Sequence, residues 1–136
     1  PQFIEIKNAG ARIGSDFIAI TKNGTISIYA GFVKKYNIKS FTRCTFLVDP
    51  AQNLIAIQFG SDELGKGSYT INHGDKTAAV NAGNIFIEAG FNVNDWYGRY
   101  EPEKYENAER KNVYMIDLDK KKPIIRKFKK NKEVTN

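Results

Sequence analysis

Few side chains in this sequence have the types and spacing to do chemistry, and most of them are cations. The densest group is Lys120-Lys121-Lys122-Pro123-Ile124-Ile125-Arg126-Lys127-Phe128-Lys129-Lys130-Asn131-Lys132. Residues 119–136 hold eight Lys or Arg against two acids, a sum of +6, whereas residues 1–118 hold thirteen of each, a sum of zero. The tail therefore carries the whole net charge. Such a segment can neutralise several phosphates and release their counterions, and Phe128 can stack on a base. Two plainer readings compete. One is a solvated terminus. The other is an anionic membrane surface, against which Pro123 and the short length count.

The second group is aromatic. Trp96, Tyr97, Tyr100 and Tyr105 alternate with Arg99 and Lys104. On a strand, Trp96 and Tyr100 share one face, and Tyr97 and Arg99 the other. One face can stack single-stranded bases beside Arg99. Ordinary core packing is the favoured reading of this stretch, and Glu101, Glu103, Glu106 and Glu109 would repel a phosphate backbone nearby.

The remaining candidates point away from catalysis. Cys44 and His73 are the single Cys and single His. Together they cannot supply the roughly four ligands of a structural zinc site. His73 has no identifiable nucleophile or carboxylate partner and reads as an exposed turn residue. Cys44 reads as a small buried apolar side chain. Asp62-Glu63 and the glutamates at 101–109 lack the spacing of a hydrolase pair. Gly60, Gly65 and Gly67 are not followed by the Gly-Lys-Ser/Thr of a phosphate loop. The expectation is a protein that is not an enzyme, with no metal and no cofactor.

The elements that position these groups can be read from periodicity. Residues 3–7 alternate as a short strand. Residues 17–20 form a strand, Lys22-Asn23-Gly24 a tight turn, and Thr25-Ile26-Ser27-Ile28 a half-buried strand. Phe32, Val33 and Tyr36 fall at helical spacing, and Asn37 suits the left-handed end of a helix. Strands at 43–48 and 54–59 flank an Asp49-Pro50 turn. After a polar linker at 60–67 the order recurs. Residues 68–71 match the strand at 17, residues 72–76 the turn, and Thr77-Ala78-Ala79-Val80 the strand at 25. Asn81-Ala82-Gly83 precedes a second short helix, and Gly90 occupies the place of Asn37. A longer hairpin, 96–105 with 112–118, completes the unit. This is an internal repeat of about 50 residues. One such unit is too small to bury its own apolar face, and two can bury theirs against each other.

Residues 21–59 resemble the swapped-hairpin DNA-binding family typified by AbrB, SpoVT and MraZ. The likeness lies in Lys22-Asn23-Gly24-Thr25-Ile26-Ser27-Ile28, Val33-Lys34-Lys35-Tyr36-Asn37-Ile38, Phe46-Leu47-Val48-Asp49 and Leu54-Ile55-Ala56-Ile57. Tyr29 stands where the family has a helix-opening Pro, and Ser40-Phe41 where it has Gly-Asp. The resemblance implies a swapped-hairpin or double-psi barrel and DNA binding through basic residues near the first hairpin.

The fold class expected is therefore α+β and β-rich. It comprises two pseudo-twofold strand-turn-strand-helix-hairpin units, 17–59 and 68–118, in one domain over 1–118, with a flexible basic tail at 119–136. The function expected is DNA binding of a regulatory or architectural kind. Its contacts are Lys22, Lys34, Lys35, Arg43, Lys120, Lys121, Lys122, Arg126, Lys127, Phe128, Lys129 and Lys130, with Trp96, Tyr97 and Tyr100 as base-stacking candidates. The alternatives are a single-strand binder using the sheet aromatics and a protein-interaction module with no nucleic-acid role. The partner expected is DNA or RNA, with a homodimer left open. No apolar run reaches membrane-spanning length, and a single Cys fits a reducing, cytoplasmic setting.

Overall fold

A computed structural model describes residues 1–3, 16–83, 85–105 and 109–123. In its first hairpin, Ile18–Ile20 (β1) pairs antiparallel with Thr25–Ile28 (β2), Ile18 opposite Ile28 and Ile20 opposite Ile26. Gly24 closes the tip at φ +82°, a conformation Gly adopts without a side-chain penalty. Along β2, burial alternates as the polar–apolar pattern requires, with Ile26 and Ile28 inside. Ala30–Lys35 (α1) follows and buries Phe32 and Val33. Asn37 then takes φ 53°, the left-handed turn that stops the helix.

Arg43–Asp49 (β3) and Leu54–Gly60 (β4) form a full seven-residue ladder, from Arg43 opposite Gly60 to Asp49 opposite Leu54. The rest of the chain supplies Tyr69–Thr70 (β5), Asn72–His73 (β6), Ala78–Asn81 (β7), Ile85–Glu88 (α2), Val93–Trp96 (α3), Gly98–Tyr100 (β8), Glu103–Lys104 (β9) and Val113–Asp117 (β10). Among the described residues all pairings are antiparallel, in two five-stranded sheets. Sheet A runs β6-β7-β2-β1-β8 and sheet B runs β5-β3-β4-β10-β9. At the middle of sheet A, β2 faces β7 with Ser27 opposite Ala79. In sheet B, β4 faces β10 with Ala56 opposite Met115. Only Ile71 separates β5 from β6, and only Glu101-Pro102 separates β8 from β9, so the chain crosses between the sheets at both places.

The inner faces meet in a core of Ile18, Ile20, Ile26, Ile28, Ile55, Ile57, Phe59 and Ile116. Burying each such side chain contributes about 1.5–3 kcal/mol. Phe32 of α1 brings the helix onto this core, its ring centroid 5.2 Å from that of Tyr114 and 6.3 Å from that of Phe59.

The β-rich α+β class and the hairpins at 17–28 and 43–60 stand as the sequence indicates, and four details differ. First, Trp96 ends a helical turn rather than starting a strand. Asn92 N–H donates to the Asp95 carboxylate (3.1 Å) and Asp95 N–H to the Asn92 carbonyl (2.8 Å), and this turn at Asn92-x-x-Asp95 starts α3. Second, the stretch after Trp96 is not one strand of a hairpin. Its first part, β8, pairs with β1 in sheet A, and only β9 pairs with β10, because Pro102 lacks the N–H a continuous ladder needs. Third, Asn72 and His73 are ladder residues of β6 rather than turn. Fourth, residues 119–122 are not a free tail. Asn53 Nδ2 donates to Asp119 Oδ1 (3.1 Å), and Lys122 exchanges both main-chain hydrogen bonds with Arg99 (2.8 Å each). The strand expected at 3–7 and the basic residues of 124–136 lie wholly or largely outside the described residues.

Candidate nucleic-acid interface

Three stretches far apart in sequence meet at the β1–β8 side of sheet A. Ile20 lies opposite Gly98, so the first turn runs out beside Tyr97. The Lys22 ammonium stands 5.1 Å from the Tyr97 ring centroid, a cation–π distance. A Cβ on Gly98 would come within 3.2 Å of both Lys121 Cβ and the Lys122 carbonyl oxygen. The absent side chain is what lets residues 121–122 lie flat against β8. The Arg99–Lys122 bridge then fastens them there.

Beneath this edge is a buried cation. Arg99 is 8% exposed, and its guanidinium carbon lies 4.3 Å from the Phe17 ring centroid. Lys122 Nζ lies 5.2 Å from the same centroid. Among the described residues no carboxylate pairs with Arg99, and its Nε has no hydrogen-bond partner. A buried charge without a counter-ion is costly. The Phe17 face offsets part of that cost, and the charge raises the positive potential of the surface above it. Lys22, Lys121 and Lys122 are exposed on that surface and Tyr97 is half-buried.

The other sequence candidates fall elsewhere. Trp96 and Tyr100 are 2% and 1% exposed. Trp96 packs on Phe86 at 5.5 Å between centroids, and Tyr100 Oη donates to the Trp96 carbonyl (2.8 Å). Both rings are therefore core rings and offer no face to a base. Burial, and secondarily the charge of Asp95, pushes the Tyr100 hydroxyl well above its ordinary range. Arg43 is a clamp: Nη2 donates to the Ser68 carbonyl (2.6 Å) and Nη1 to Thr70 Oγ1 (3.3 Å), tying β3 to β5. Lys35 is 3.7 Å from the Asp16 carboxylate. Lys120 and Lys122 line a cleft of about 400 Å³ shared with Glu101, Glu103 and Asp117. Lys34 lines a separate cleft with Lys39 and Lys76, two residues that sequence reasoning did not single out. Their convergence depends on the β6–β7 turn reaching α1, and no local pattern signals that approach. Arg126, Lys127, Phe128, Lys129 and Lys130 lie outside the described residues.

Among the described residues no group of three or more His, Cys, Asp or Glu is placed to hold a metal, and no helix is long and apolar enough to cross a membrane. Cys44 is buried on β3, and desolvation pushes its thiol up to about 12 from 9.0, against a smaller opposing effect of Arg43. At pH 8 a thiol reagent such as DTNB should label the native protein no faster than it unfolds, and label it at once in guanidinium. Because the folded value is raised, the unfolded thiol ionises first. This contribution to stability is full below about pH 9 and declines as pH rises toward 12. Rapid native labelling would show that Cys44 is reachable.

Comparison with known proteins finds no family model, no curated relative and no solved structure that matches this chain.

Proposed function

We propose that this protein binds duplex DNA, in a regulatory or architectural role, along the β1–β8 side of sheet A. The observation that carries the reading is the gathering of Lys22, Tyr97, Lys121 and Lys122 above the buried charge of Arg99. Beyond Pro123 the sequence adds five Lys or Arg and one acid over residues 124–136, so more cationic chain continues from the same place. Lysines spread along an edge suit phosphates, which carry no sequence information by themselves. The burial of Trp96 and Tyr100 favours phosphate contacts over base stacking, and so favours duplex over single strand.

In this reading the fold is a duplicated swapped hairpin. Strand order supports it. In sheet A the hairpins β1–β2 and β6–β7 flank the β2–β7 pair, and in sheet B β3–β4 and β10–β9 flank the β4–β10 pair. Strands also pair across the two halves outside these central pairs, β1 with β8 and β5 with β3. Each half therefore completes its sheets with strands of its counterpart, which accounts for a repeat that one unit could not stabilise alone.

A fluorescence anisotropy titration of a random-sequence duplex tests the function. Affinity should fall steeply between about 50 and 200 mM salt. The triple substitution Lys22→Gln, Lys121→Gln, Lys122→Gln should flatten the log–log slope by about 0.9 for every phosphate that is no longer neutralised. Stability should fall by no more than about 1–2 kcal/mol, because the cation–π contacts of Lys22 and Lys122 are lost while the Arg99–Lys122 bridge is main chain to main chain and stays. An unchanged affinity and slope in the triple variant would remove this edge from the interface. Tighter binding to a single strand than to the duplex would turn the reading toward base stacking.

A further inference from the structure

At the far end of the β2–β7 ladder from Lys22 lies a cleft of about 500 Å³, lined by Ala30, Val33, Lys34, Asn37, Lys39, Asp75 and Lys76. The ladder separates the two places: Thr25 pairs with Asn81 at one end and Ile28 with Ala78 at the other. The β1–β2 tip leaves from the first end, and α1 and the β6–β7 turn meet at the second. We infer that this cleft binds a nucleoside polyphosphate, an activity separate from the duplex contact proposed above and independent of it.

Three features carry the inference. The first is charge. Lys34 comes from α1, Lys39 from the single helical turn at Ile38–Ser40, and Lys76 from the β6–β7 turn. Asp75 supplies the one carboxylate among the lining residues, so three lysines line the cleft against one acid. Among the described residues neither Lys34 nor Lys76 forms an ion pair. Like charges brought together from three elements favour an anion of several charges over a single carboxylate.

The second feature is rigidity. Two hydrogen bonds hold the elements around the cleft together, one beside it and one between two of its lining residues. His73 Nε2 and the Phe41 carbonyl are 2.6 Å apart. The Lys39 ammonium donates to the Asp75 carbonyl, which holds that cation at the cleft while leaving its charge uncompensated. Asn37, at φ 53°, turns the chain sharply between Lys34 and Lys39, so that both reach the same space. A site whose cations are already held loses less freedom on binding.

The third feature is shape. The volume lies within the range of about 300–1,000 Å³ typical of small-molecule sites. Ala30 and Val33 give it an apolar side against which a base or sugar can pack while the phosphates meet the lysines. A concave cleft between two tied walls suits a compact ligand better than a continuous nucleic-acid backbone.

The test uses the full chain and four probes, read by calorimetry without magnesium: ATP, inorganic tripolyphosphate, adenosine and the random duplex. ATP should bind saturably, tripolyphosphate about tenfold more weakly for lack of the base and sugar, and adenosine not at all. Lys34→Gln with Lys76→Gln should weaken ATP at least about tenfold, and adding Lys39→Gln should remove it. The double variant keeps the Lys39 tie to Asp75, so a missing signal there cannot be put down to an opened cleft. Both variants should bind duplex as the native chain does, and the Lys22, Lys121, Lys122 variant should keep its ATP binding. Absence of saturable ATP binding overturns the inference, as does ATP binding unchanged in the triple cleft variant or abolished in the edge variant. If the cleft variants lose duplex together with ATP, the cleft belongs to a nucleic-acid path instead. If the native chain binds ATP but not duplex, the cleft stands and only the duplex reading fails.

Discussion

Removing residues 124–136 should lower duplex affinity by roughly two to three orders of magnitude at low salt and leave the melting temperature unchanged. The deleted stretch contains Arg126, Lys127, Lys129, Lys130 and Lys132 against Glu133. If each of the five cations meets a phosphate, the log–log salt slope becomes shallower by about 0.9 for each. The loss should be equal for all duplex sequences, since these side chains position the protein without reading bases. A cut five residues earlier should behave differently. Deleting 119–136 also removes the Arg99–Lys122 bridge and the Asn53–Asp119 hydrogen bond. Each net hydrogen bond is worth about 1 kcal/mol, so about 2–3 kcal/mol of stability should go with them. Identical melting temperatures for the two truncations would mean that residues 119–123 add nothing to the fold. Undiminished duplex binding without 124–136 would make that stretch a solubilising end and leave the Lys22–Lys122 edge as the whole interface.

The different expectations for the two cuts show what local sequence can and cannot convey. Gly24, Asn37 and the alternation over Thr25–Ile28 are local signals, and each specifies a backbone conformation that the structure adopts, although Asn23 does not take the positive φ that an Asn-Gly turn can use. The run Lys120-Lys121-Lys122 looks solvated for an equally local reason: nothing apolar lies within it. Its docking is decided by Gly98, more than twenty positions earlier, through the space a missing side chain leaves. Arg43 shows the same limit. In sequence it is a cation at the start of a strand, but its guanidinium is committed to Ser68 and Thr70, and that follows only from the β3–β5 pairing. The aromatic stretch misleads because period-2 alternation also fits a chain that finishes one helical turn at Trp96 and starts a strand at Gly98. The cap that separates them, Asn92 with Asp95, is readable, although it is weaker than the run of rings that follows it.

Gly24→Ala should be among the most destabilising small substitutions in the protein, costing roughly 3 kcal/mol or more. Two effects combine. At φ +82° a Cβ is strained wherever it points. Here it would also point at the second half of the chain, 2.2 Å from the Gly83 carbonyl oxygen and 3.1 Å from the Gly83 carbonyl carbon. These are backbone atoms and cannot rotate away as a side chain would. Relief would require the first turn to draw back from Ala82-Gly83 and give up the hydrogen bond from Ala82 N–H to the Gly24 carbonyl (3.1 Å). The Thr25–Asn81 end of the β2–β7 ladder would open with it. Gly83→Ala is the matched control. Gly83 also has a positive φ, 57°, but its Cβ would meet nothing within 4 Å, so only the conformational penalty of about 1 kcal/mol applies. Chemical denaturation of the two variants separates the terms. A Gly24→Ala loss well beyond that of Gly83→Ala measures the packing of the first hairpin tip on the other half. Equal losses would show that the tip stands clear of Gly83 in solution and that the two halves hold together through their strands alone.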